Sequence, residues 1–78
     1  MTYRVKATWD EEAQVWVATS DDVPGLATEA DTIEELLAKL RVMIPELLDA
    51  NGVAPAPAGE VPFQLNTERS EVIKLQAA

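Results

Sequence analysis

Two runs of carboxylates are the groups best suited to chemistry in this sequence: Asp10-Glu11-Glu12 and, further along, Asp21-Asp22. Carboxylates gathered in one cleft can hold a pair of magnesium ions that activate water against a phosphodiester. That chemistry needs acids projecting from neighbouring strands into the same space. Here the strand-like stretch before the first run carries Tyr3, Val5, Ala7 and Trp9 on its apolar side and Arg4 and Lys6 on the other. No inward carboxylate accompanies them, and both acidic runs fall in connections. They read instead as solvated turn residues or as a partner-facing surface that mimics phosphate. The hydroxyls of Thr8, Thr19, Ser20, Thr28 and Thr32 lack a histidine or a well-placed lysine to act as base. The chain has no cysteine and no histidine, which excludes disulfides and the usual zinc ligand sets. The expectation is a protein that is not an enzyme and needs neither metal nor cofactor.

Charge narrows the partners. Fourteen acidic residues against six basic ones give a net charge of −8 over 78 residues. Arg4, Lys6, Lys39, Arg41, Arg69 and Lys74 are scattered singly, whereas phosphate binding without a metal needs them clustered. Direct nucleic-acid binding is therefore not expected, and a basic protein would be steered in by the same field. No segment approaches the roughly 20 apolar residues needed to cross a bilayer, and the amino terminus has no signal-peptide core. The default location is the cytoplasm.

The elements that must position these residues follow from periodicity. Residues 2–9 alternate in polarity as a half-buried strand. Residues 14–20 form a second strand, and Val15, Trp16, Val17 and Ala18 make both of its faces apolar. One helix covers only one face of a sheet, so the other face is expected to meet a partner; Trp16 is a candidate interface anchor or, equally, a core tryptophan under the helix. Pro24 and Gly25 suit the central positions of a type II turn, after which residues 26–30 complete a meander. Thr32 and Glu35 fit a capping box at the start of a helix over residues 31–51, with Asp31 at its amino end. Ile33, Leu36, Leu37, Leu40, Ile44, Leu47 and Leu48 give that helix one apolar stripe. Pro45 predicts a kink there, or a first helix ending near Met43 and a second beginning at Pro45. Asn51 and Gly52 close the segment. Residues 53–60 are an Ala/Pro linker, and residues 61–75 hold a last strand and a tail whose Val72, Ile73 and Leu75 are too apolar to be idle. A right-handed crossover would set the last strand parallel to the first, giving a β-β-β-α-β domain of strand order 3-2-1-4.

The sequence resembles the HicB-like antitoxin domain, in its short stand-alone branch. Three blocks carry the likeness, over about residues 3 to 50. Val15-Trp16-Val17-Ala18-Thr19-Ser20 matches the family's aromatic and β-branched hairpin strand. Asp22-Val23-Pro24-Gly25-Leu26 is close to its Asp-Leu-Pro-Gly turn. Thr28-Glu29-Ala30-Asp31-Thr32-Ile33-Glu34-Glu35 follows its entry into the helix, and the later Val61-Pro62-Phe63-Gln64-Leu65 resembles its last strand. The resemblance implies a partial ribonuclease-H-like α+β fold without nuclease activity. It also implies binding to a small basic HicA-like ribonuclease toxin of a type II toxin–antitoxin system. Longer members carry a carboxy-terminal DNA-binding module; no such module follows the last strand here, so DNA binding does not carry over.

The resulting expectation is a single domain, residues 1–78, that inhibits such a toxin by contact. Asp21, Asp22, Val23, Trp16, Asp10, Glu11 and Glu12 are the candidate partner-binding residues. Self-association, as a dimer, is expected from the doubly apolar second strand and the short chain. The alternatives are a homo-oligomeric regulatory or scaffold domain without a toxin, and a metal-dependent ribonuclease-H-like nuclease.

Overall fold

Alternating polarity places Tyr3, Val5, Ala7 and Trp9 on one face of the first strand, and the fold is built outward from that face. A computed structural model describes residues 2–53 and 59–76. Its elements are β1 (Tyr3–Asp10), β2 (Val15–Thr19), β3 (Ala27–Ala30), α1 (Ile33–Ala50) and β4 (Phe63–Glu68). The sheet order is β3-β2-β1-β4, as the crossover rule requires. β1 pairs antiparallel with β2 and parallel with β4, and β2 pairs antiparallel with β3.

Register decides which side chains meet the helix. Ala7 faces Ala18, Trp9 faces Trp16, and Trp16 faces Ala30 on the next strand. Directly paired residues share a face, so these stand with Val5, Phe63 and Leu65 on one side. Val5, Ala7, Ala18 and Ala30 are buried there with Leu36, Leu40, Ile44 and Leu48 of α1. Small alanines on three strands leave room for the helix's leucines and isoleucine. The opposite face carries Arg4, Lys6, Thr8, Val15, Val17, Glu29, Gln64, Asn66 and Glu68 by the same alternation. Val15 and Val17 are only half-buried. Strand two is thus apolar on both faces, as its sequence predicts.

Both ends of α1 are capped, the first by the Thr32 half of the expected capping box; among the described residues the return bond from the Thr32 N–H to the Glu35 side chain is not made. Thr32 is extended (φ −128°, ψ 159°), and its Oγ1 accepts a 3.1 Å hydrogen bond from the Glu35 N–H. Glu34 and Glu35 lie in the first turn, where they complement the helix dipole. At the far end Val53 N–H donates to Leu48 C=O at 2.9 Å and Gly52 N–H to Asp49 C=O at 3.0 Å. With Gly52 at φ +72° this is a Schellman closure.

Pro45 does not split the helix into two segments. The helix continues through it, although the Arg41 carbonyl loses its regular i+4 donor. The ring is exposed, and the stripe of Leu40, Ile44 and Leu48 holds the helix down on either side. Tertiary packing outweighs the local penalty. Replacing Pro45 by Ala should restore that bond and raise stability by about 1 kcal/mol, after allowing for the freer unfolded chain. Thermal denaturation should show a Tm higher by about 4–8 °C; no rise would mean that the helix is already fully relaxed around the proline.

The Ala/Pro linker lies mostly outside the described residues, which resume at Gly59. Beyond β4, residues 69–76 form neither strand nor helix.

Candidate functional site

The acidic runs occupy the two turns at opposite ends of β2, and the turns use their carboxylates in different ways. In the first turn, Gln14 adopts φ +58° and its N–H donates to the Asp10 carbonyl at 2.8 Å. The Asp10 carboxylate accepts from the backbone N–H groups of Glu12 and Ala13, each at 3.1 Å. Glu11 accepts from the Trp9 indole N–H at 2.7 Å. Glu12 makes no side-chain hydrogen bond or ion pair among the described residues. Asp10 and Glu11 therefore shape the hairpin, and Glu12 is the acid it leaves to solvent.

The second turn is more specialised. The β1–β2 ladder ends at the Lys6–Thr19 pair, and side chains continue it beyond that point. The Asp22 carboxylate accepts from the Arg4 backbone N–H at 2.8 Å, and the Ser20 hydroxyl donates to the Arg4 carbonyl. Ser20 Oγ also accepts from the N–H groups of Asp22 and Val23 at 3.1 and 3.2 Å. Leu26 N–H then closes on the Val23 carbonyl at 3.2 Å around Pro24 and Gly25, the latter at φ +81°. The type II turn is as predicted. Its anchorage corrects the reading of Asp22 as a solvated turn residue, because the Asp22 carboxylate extends the β1–β2 pairing to the Arg4 N–H. Val23 is fully buried in the core and cannot serve as an exposed partner contact in this conformation. Asp21 is exposed and makes no side-chain bond among the described residues.

Around this turn lies an open depression of about 320 Å³ lined by Arg4, Lys6, Thr19, Ser20, Asp21, Asp22 and Asn66, with Val5 at its floor. Its charge is mixed. Lys6 pairs with Glu68 at 3.3 Å, where both side chains are largely exposed and the pair contributes little.

The other candidate, Trp16, lies on the helix-side face. Its ring meets Trp9 edge-on at 5.3 Å, with an interplanar angle of 62°. Arg69, just past β4, places its guanidinium 4.1 Å from the Trp9 ring centre and 6.0 Å from that of Trp16. The sequence reading missed this contact. It could have been found by extending the β1–β4 register one step, which sets Arg69 level with Trp9. An Arg69→Ala substitution should cost no more than about 1 kcal/mol at this partly exposed site while altering tryptophan fluorescence. An unchanged emission spectrum would show that the guanidinium does not sit over the rings in solution.

Among the described residues no group of three or more acids lies together in a way that could hold a metal ion. No described helix is long and apolar enough to cross a membrane.

The match to known proteins spans nearly all of this architecture. Residues 2–77 match the family model described as "Domain of unknown function (DUF1902)". The chain belongs to the DUF1902 family. The chain is also similar to hypothetical protein TTHA1013 from the extremely thermophilic bacterium Thermus thermophilus, known from a crystal structure. The two are 59% identical, the match covers 96% of this chain and 100% of that one, and the TM-score is 0.71. Comparison with curated proteins finds no significant match. The DUF1902 domain seen here is thus the whole four-stranded unit with its helix, and both acidic turns lie within it.

Proposed function

We propose that this DUF1902 domain is a non-catalytic, protein-binding module. In this reading it is an antitoxin-like inhibitor of a small basic HicA-like ribonuclease toxin, acting in the cytoplasm. The observation that carries the reading is Asp21, an exposed carboxylate with no side-chain bond of its own among the described residues. It stands on a chain of net charge −8, at the rim of the depression around the second turn. The sheet order and the parallel β1–β4 pair also agree with the partial ribonuclease-H-like fold that the HicB-like resemblance implies. A basic partner would be steered to this rim, with Asp21 rather than the structural Asp22 supplying the free charge.

Rim charges mainly change the rate of encounter. Asp21→Lys should therefore slow association with the toxin by about 3–10-fold and leave the melting temperature unchanged. Wild-type binding should weaken as salt rises. Co-purification from the native host identifies the partner, and stopped-flow mixing measures the rates. If Asp21→Lys associates as fast as wild type, the acidic rim only keeps the protein soluble. Submicromolar binding of DNA or RNA at physiological salt would overturn the protein-binding assignment itself.

A second reading, a self-associating regulatory or scaffold domain without a toxin, is favoured by the apolar side chains beyond β4. Val72, Ile73 and Leu75 are 90%, 86% and 93% exposed. The two readings share self-association and differ in whether a second protein is bound.

A further inference from the structure

We propose that residues 69–76 are an exchange arm that pairs antiparallel with the outer edge of β4 in a second copy of this chain. The proposal rests on the self-association part of the reading above and assigns it a surface. β4 is an edge strand, so one side of its backbone is unpaired in the sheet. Such an edge is a template for another strand. The arm begins where β4 ends, and its Val72, Ile73 and Leu75 are almost fully exposed. The radius of gyration is 15.7 Å and the long axis 62 Å, whereas a compact chain of this length has a radius of about 11.5 Å. Each molecule therefore offers both an unpaired arm and a free edge. A two-fold axis near Ser70 would satisfy both at once, in a closed isologous pair.

Charge selects a register for that pair. With Ser70 opposite its own copy, Arg69 faces the partner's Glu71, and the same pair recurs across the axis. Ile73 then faces the partner's Thr67, and Leu75 faces the partner's Leu65. Sliding two residues one way sets Arg69 against the partner's Arg69; sliding the other way sets Glu71 against the partner's Glu71. Like charges directly opposite are unfavourable. A one-residue slip instead turns the arm's apolar side chains to the other face. Within one chain the Arg69–Glu71 pair is long, at 3.8 Å, with Glu71 66% exposed, so the ion pair itself contributes little; Arg69, 39% exposed, is held mainly by its contact with the Trp9 ring.

A receiving surface is present on the same face. Phe63 and Leu65 are half-buried toward the helix. Beside Phe63, a groove of about 240 Å³ runs between Leu40, Arg41, Ile44 and Pro45 on one wall and Gly59 and Val61 on the other. An arm whose Leu75 stands beside Leu65 continues toward this groove. The arm carries two cations and one anion, so this segment is spared the mutual repulsion that a net charge of −8 imposes on the rest of two copies.

The test uses the full chain. Sedimentation velocity at high micromolar concentration should find a dimer. The double variant Ile73→Asp/Leu75→Asp should weaken dimerisation at least ten-fold with an unchanged far-UV spectrum, since neither side chain packs within its own chain. Arg69→Glu should also weaken the dimer, and Arg69→Glu with Glu71→Arg should restore it. The chain has no cysteine, so a Ser70→Cys variant gives an unambiguous cross-link. Opposed residues in an antiparallel pair lie about 4.5–5.5 Å apart at Cα, within reach of a disulfide. Mild oxidation should then give a covalent dimer on a non-reducing gel. A wild-type monomer would overturn both the arm and the self-association reading. A dimer indifferent to Ile73→Asp/Leu75→Asp, with no Ser70→Cys cross-link, would overturn the arm and leave self-association standing.

Discussion

Asp22→Lys is expected to destabilise the domain by about 3 kcal/mol, whereas Asp21→Lys beside it shifts stability by less than about 0.5 kcal/mol. The difference lies in one backbone group. Asp22 accepts from the Arg4 N–H at 2.8 Å, beyond the end of the β1–β2 ladder. Removing the carboxylate leaves that donor without its partner at the start of the central strand. It also unsettles the Ser20 hydroxyl, which bonds the Arg4 carbonyl and the N–H groups of Asp22 and Val23. A lysine adds a third cation to a depression already holding Arg4 and Lys6. Asp22→Asn keeps an acceptor and loses only the charge, so it should cost about 1 kcal/mol. Urea unfolding of the three variants checks the order. If Asp22→Lys and Asp21→Lys have equal midpoints, the side-chain continuation of the ladder contributes nothing. The consequence for function is direct: a charge reversal at Asp22 that abolishes binding would report on folding, and only Asp21 tests the surface.

Leu40→Ala should be more damaging still, by about 4 kcal/mol. Leu40 is fully buried at the middle of the helix stripe, between Leu36 and Ile44. The strand residues of the buried cluster are mainly alanines and a valine. Their short side chains cannot reach into a cavity left at Leu40, so the site collapses poorly. A domain of this size has a total stability of about 4–12 kcal/mol. The variant is therefore expected to be partly unfolded at 37 °C, with a clearly lower urea midpoint. Val42→Ala, at a side chain 59% exposed on the same helix, should change stability by less than about 0.5 kcal/mol. A Leu40→Ala cost below about 1.5 kcal/mol would mean that the core repacks around the loss.

The order of elements was legible because each has a local cause. Tyr3, Val5, Ala7 and Trp9 recur at the period of a strand, and the leucines of α1 at that of a helix. Thr32, Gly25 and Gly52 act within four residues of themselves, so their roles follow from neighbours in the chain. The strand order 3-2-1-4 followed from the handedness of a single crossover. Pro45 left two outcomes open, a kink in one helix or a break into two, and the helix stays single. Its penalty is set by one missing hydrogen bond, while the helix is held by burial distributed along its whole length.

The candidate site divided differently. Composition alone determined that the chain is acidic and that histidine and cysteine chemistry is excluded, and residue order placed Val72, Ile73 and Leu75 beyond the last strand. Which acid is free and which is structural was decided by tertiary structure, because Asp22 and Arg4 are 18 residues apart in the chain. Their hydrogen bond exists only where β2 runs out alongside β1. The burial of Val23 and the placing of Arg69 over Trp9 were settled in the same way. Periodicity reports how a residue alternates with its neighbours, whereas a contact between distant segments depends on where each strand stops.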